Sequence, residues 1–106
     1  MDLDHIARVR EAWKQSAIRA ERLDFDLIEL HYAHGYLVNQ FLSPLINSRT
    51  DAYGGSREDR MRFALEIYDD CRAVWPDHKP IGVRLSAIDW VDGGWQIEDS
   101  VALAKE

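Results

Sequence analysis

The chain has a single cysteine, Cys71, so it can form no internal disulfide, and a reducing compartment is its natural home. It has no run approaching the roughly 20 apolar residues that a membrane-spanning helix needs. Cationic side chains are also scarce, with 13 Lys and Arg against 19 Asp and Glu. An acidic chain of this kind is repelled by phosphate backbones and anionic lipid, so neither nucleic acid nor a membrane is expected as a partner. The opening residues Met1-Asp2-Leu3-Asp4 are acidic where a secretory leader would be basic and then apolar, which points to the cytoplasm. What remains is an ordinary globular composition over 106 residues, the size of one domain.

Hydrophobic periodicity sets the order of elements. Ile6, Val9, Trp13 and Ala17 recur at helical spacing between His5 and Leu23, and Asp4 is placed to cap that helix. Phe25 to Leu30 is short and largely apolar, as in a strand buried on both faces of a parallel sheet. An irregular stretch from His31 to Gly55 follows, and loops of that length in compact domains are usually functional. Ser56, with Asp59 three residues on, opens a second helix whose stripe is Phe63, Ile67, Cys71 and Val74, and Pro76 ends it. Ile81 to Leu85 reads as a second strand, Asp92-Gly93-Gly94 as a turn, and Ile97 as the start of a third helix. Alternating helices and strands imply right-handed crossovers and a parallel α/β sheet. Two parallel strands alone cannot close a core, so the chain is expected to be a segment of a larger sheet.

In α/β barrels the chemistry sits at the carboxyl ends of the strands. The first strand runs there into His31-Tyr32-Ala33-His34-Gly35-Tyr36. If the chain breaks into a helical turn at His31, residues three apart share a face and both imidazoles enter one pocket. Two neutral imidazoles can each donate to one ligand oxygen and stabilise charge growing on it, while Tyr36 can deliver a proton. Structural histidines are common at such positions, and the two readings stand even. The His-Glu-x-x-His spacing of a zinc site is absent and no cysteine is near in sequence, so no metal is expected. On the second strand, alternation sets Gly82, Arg84 and Ser86 opposite Val83 and Leu85, and sets Glu29 and His31 opposite Ile28 and Leu30. Arg84 then points away from the helices, either to an anionic or electron-rich ligand or to an ion pair with Glu29. Both remain open. Cys71, Trp13 and Trp75 read as packing residues, His5 and His78 as solvated, and Arg57 to Arg62 as a solvated helix start. Trp90 and Trp95 follow the second strand and are candidates for lining a pocket.

The run from His31 to Pro44 resembles the signature loop of the Old Yellow Enzyme family of flavoproteins. The likeness continues through Asn47-Ser48-Arg49-Thr50-Asp51-Ala52-Tyr53-Gly54-Gly55-Ser56 to Arg60 and Phe63. Val83-Arg84-Leu85-Ser86-Ala87 and Asp89 to Trp95 are similar to the bacterial branch of xenobiotic and enoate reductases. The resemblance implies a (β/α)8 barrel holding FMN, of which residues 1–106 would supply the fourth and fifth strands. It implies an FMN-dependent NAD(P)H oxidoreductase in which NADPH or NADH reduces the flavin, and hydride then passes to an activated alkene or similar electron-poor acceptor. His31 and His34 would bind the acceptor's oxygen, Tyr36 would be the proton donor, and Arg84 would lie beside the flavin N1 and O2. The parent is expected to be a homo-oligomer. A barrel needs about 250 residues, so the isolated chain is expected to be inactive. The alternatives are a non-catalytic truncated remnant, or part of a dienoyl-CoA-reductase-like or amine-dehydrogenase-like flavoprotein with an iron–sulfur region beyond the barrel.

Overall fold

The computed structural model describes residues 1–106. In chain order the elements are α1 (Leu3–Arg22), β1 (Ile28–Tyr32), α2 (Leu37–Leu42), α3 (Arg57–Arg72), β2 (Ile81–Leu85) and α4 (Ile97–Leu103). The strands pair as one parallel two-stranded sheet. The chain forms two compact units, Met1–Leu30 with Glu66–Gly82, and His31–Leu65 with Val83–Glu106.

In the first unit, α1 begins two residues earlier than its apolar stripe suggests. Asp2, not Asp4, is the cap: its carboxylate accepts the His5 amide at 2.8 Å, and Asp4 lies inside the first turn. Ile6 and Ala17 are buried, while Val9 and Trp13 are only half-covered. The helix ends with Asp24 in the left-handed region at φ 58. Phe25 N–H donates to the Ala20 carbonyl and Asp24 N–H to that of Glu21, so the last carbonyls are satisfied although no glycine is present. Lys79 holds the Asp24 carboxylate at 2.8 Å. This turn delays the strand: β1 starts at Ile28 rather than Phe25, and Phe25 and Leu27 are exposed. Arg10 grips Asp70 through two N–H bonds of 2.7 and 3.1 Å and Glu66 through a third of 3.0 Å. Trp75 is buried as expected and donates its indole N–H to the Pro80 carbonyl at 3.2 Å.

In the second unit, the long connection is not irregular throughout: it contains a short helix, α2. α2 buries Val38, Phe41 and Leu42, an i, i+3, i+4 set. Phe41 stacks against Phe63 with centroids 4.3 Å apart, and Tyr53 meets both rings edge-on. The rest of the connection is tied down by side chains. The Asn47 amide donates to the carbonyls of Phe41 and Tyr53, at 2.6 and 2.8 Å. A Cβ at Gly54 would sit 2.4 Å from the Arg49 carbonyl oxygen, so only glycine allows that approach. Ser56 caps α3 as expected, accepting the Asp59 amide at 3.1 Å. The arginines after it are not merely a solvated helix start. Arg60 donates to the carbonyls of Leu42 and Gly55, and Arg62 to that of Ala52, so they fasten the connection to α3.

The strands are not buried on both faces within this chain. On β1, Leu30 and Tyr32 are buried while Glu29 is exposed and His31 half-buried. On β2, Val83 is exposed along with Arg84.

Candidate functional site at the strand ends

β1 continues through Tyr32, so His31 is a strand residue and not the start of a helical turn. The Tyr32 hydroxyl donates to the Ala64 carbonyl at 2.9 Å and anchors the strand end. The convergence of the histidines comes from a different device. His34 and Gly35 both take left-handed conformations, with φ 62 and 75, and reverse the chain just past Ala33. That turn returns the His34 ring to within 5.1 Å of the His31 ring, centroid to centroid. The Tyr36 ring lies 5.6 Å from His31. His34 and Tyr36 are exposed and His31 is half-buried, so the cluster is open to a ligand. A positive φ at a residue other than glycine is uncommon and collects at functional sites.

Side chains from elsewhere in the unit hold this turn. The Ser86 hydroxyl, just past β2, accepts the His34 amide at 2.9 Å. The buried Asn39 side chain accepts the Gly35 amide at 2.8 Å, and the Gln40 side-chain Nε2 donates to the Gly35 carbonyl at 2.7 Å. None of these three was singled out by its own chemistry in the sequence. Only their positions after the histidines and Arg84 could have marked them.

Asp89 organises the loop after β2. Its carboxylate accepts the buried Ser43 hydroxyl at 2.6 Å and the Trp95 amide at 2.8 Å. Trp95 is fully buried, with its indole N–H on the Ser100 hydroxyl at 2.7 Å, so it is a core residue rather than a pocket wall. Trp90 is 88% exposed, with φ 60. Arg84 is exposed on β2. No three His, Cys, Asp or Glu side chains stand together as metal ligands, and no helix is long and apolar enough to cross a membrane. Cys71 is buried on α3, where desolvation and then the charge of Asp70 push its thiol up to about 11.

The NADH:flavin oxidoreductase / NADH oxidase family model matches residues 1–106. The NADPH dehydrogenase of Halalkalibacterium halodurans is 49% identical over 105 residues, covering 99% of this chain and 30% of that protein. The NADPH dehydrogenase of Bacillus subtilis is 48% identical with the same coverage. The chain thus spans about 30% of the length of these curated relatives. Among solved structures, a complex of 2-naphthoyl-CoA reductase with 2-naphthoyl-CoA superposes with a TM-score of 0.94 at 33% identity, over 99% of this chain and 16% of that one. Morphinone reductase in complex with tetrahydroNAD gives 0.82 at 39% identity, over 98% of this chain and 28% of the other. The two parallel strands and their helices therefore form part of a (β/α)8 barrel. Family match, sequence identity and superposition agree along the whole chain, which belongs to the NADH:flavin oxidoreductase / NADH oxidase family, that of Old Yellow Enzyme.

Proposed function

We propose that residues 1–106 are the acceptor-binding segment of a single FMN-binding barrel domain. The domain is an ene-reductase that uses NADPH or NADH to reduce activated alkenes or similar electron-poor acceptors. The carrying observation is the His31–His34 pair, with centroids 5.1 Å apart, beside Tyr36 at a strand's carboxyl end. The residues present suit the ring part of a flavin. Arg84 offers a cation on an exposed position of β2, two residues before Ser86. A guanidinium there would hold the N1 and O2 edge of the isoalloxazine, where charge gathers on reduction. When bound, FMN supplies the hydride, drawn from the nicotinamide.

The chain's own residues do the rest. His31 and His34 each donate an N–H to the acceptor's carbonyl or nitro oxygen and draw electron density from the conjugated double bond. The carbon remote from that oxygen becomes the site of hydride addition. Negative charge that builds on the oxygen meets two oriented donors that need no reorganisation. Tyr36 delivers its phenolic proton to the neighbouring carbon, which completes the saturated product. The NADPH dehydrogenase names of the relatives support the nicotinamide donor. The high superposition on 2-naphthoyl-CoA reductase favours a second acceptor class, conjugated acyl thioesters, within the same chemistry.

The test is the flavin potential in the full-length, FMN-loaded enzyme. Arg84→Met should lower it, by an energy on the order of 1–4 kcal/mol at close range. Arg84→Lys should keep part of the effect, since it retains charge but not the planar fork. An unchanged potential with a lowered melting temperature would remove Arg84 from the cofactor's edge.

A further inference from the structure

The turn that carries His34 is closed by one backbone bond, from the Tyr36 N–H to the Ala33 carbonyl at 3.3 Å, and side chains fasten it further. Two consecutive left-handed residues, His34 at φ 62 and Gly35 at φ 75, follow one residue after the strand ends at Tyr32. Glycine accepts that region freely, but histidine is strained there. The strain sits in the residue whose ring must meet the His31 ring. Three hydrogen bonds fix the pair: the Ser86 hydroxyl on the His34 amide at 2.9 Å, Asn39 on the Gly35 amide at 2.8 Å, and Gln40 on the Gly35 carbonyl at 2.7 Å. Asn39 and Gln40 are local, four and five residues away. Ser86 is not: it reaches His34 across 52 positions, from the end of the other strand.

We infer that Ser86 is a positioning residue for the acceptor site, whose hydroxyl locks the left-handed turn at His34 and so sets where the second imidazole points. Asn39 secures the following amide and makes the turn a two-point clamp. The inference rests on the acceptor-binding role of His34 proposed above. Its consequence is specific. The one contact that ties Ser86 to the cluster is its bond to the His34 amide, so on this inference its effect on ligand binding passes through His34. Removing the hydroxyl leaves the His34 N–H without its partner and lets the turn sample other conformations, while Asn39 still holds Gly35.

The experiment uses the full-length FMN-loaded enzyme, with a para-substituted phenol as a flat probe that presents one oxygen. Ser86→Ala should raise the hydrogen-exchange rate of the His34 amide at least tenfold and weaken phenol binding roughly threefold to tenfold, the factor one hydrogen bond carries. Ser86→Cys, similar in volume but a weak acceptor, should behave alike, and Ser86→Thr should restore both. In a His34→Ala background, Ser86→Ala should cost no further affinity, because the two changes act through one ring. An unchanged amide exchange overturns the inference, as does an equal loss of affinity in both backgrounds. If His34→Ala itself leaves phenol binding intact, the acceptor-binding reading fails instead, and the amide exchange still decides whether Ser86 holds the turn.

Discussion

His31 and His34 face each other at 5.1 Å although only His34 has left the strand. The geometry is made by a reversal and not by a helix, so the two rings are carried by different elements. His31 rides on a paired strand anchored by the Tyr32 hydroxyl, and His34 on a strained turn held by Ser86.

The chain alone should not retain FMN. On the proposed reading it would offer the flavin one cation and the acceptor three side chains, and it covers about 30% of the length of its curated relatives. Titration of the purified 106-residue chain with FMN should leave the flavin fluorescence unquenched. Tight stoichiometric quenching would show that the strand-end cluster suffices for the cofactor.

Cys71 should be inert in the folded protein. Burial foremost, and then the negative charge of Asp70, raise its pKa from 9.0 to about 11. The thiolate, not the thiol, is the nucleophile, so alkylation at pH 8 should follow the rate of unfolding. The same shift makes stability depend on pH. The folded state keeps a proton that the unfolded state loses, so this contribution is whole below pH 9.0 and disappears as pH rises toward about 11. Thermal melts across that window should show a falling midpoint, and Cys71→Ala should flatten the fall.

Asp89 should be the most sensitive polar residue outside the histidine cluster. Asp89→Ala leaves the Ser43 hydroxyl and the Trp95 amide without their acceptor, and both are buried or part-buried. Each such orphan costs about 1–3 kcal/mol, so the full-length enzyme should lose that order of stability by denaturant titration. Asp89→Asn retains one acceptor oxygen and should lose less. Equal stability of all three proteins would remove Asp89 as the organiser of the loop.

Much of this was legible in the residues because it follows from periodicity. Ile6, Ala17, Phe63, Ile67 and Cys71 fall on the predicted stripes, and all are buried. The alternating order of elements was enough for a segment of a parallel α/β sheet, and the resemblance carried by the His31–Pro44 run supplied the barrel. The errors lie where side chains override the local pattern. The apolar run predicts a strand from Phe25, yet Asp24 closes α1 with a left-handed turn that has no glycine to announce it. α2 spans six residues, and its cap, Tyr36, makes no side-chain cap hydrogen bond. Trp95 followed a strand end and suggested a pocket wall, but its indole N–H found Ser100 and the ring went into the core. At the site, the residue types were readable and the supports were not. Ser86 and Asn39 act on backbone amides, and nothing in their spacing reveals which amide.

The central claim is that His31 and His34 together bind the acceptor's oxygen. The most direct measurement is the affinity of the full-length FMN-loaded enzyme for a para-substituted phenol, for the parent and for His31→Ala and His34→Ala, with bound flavin quantified in each. Losing one partner of a ligand oxygen should weaken binding by about 1–3 kcal/mol in either variant, while FMN content stays at the parent level. Phenol affinity equal to the parent's in both variants, or loss of FMN in place of phenol, would contradict the account.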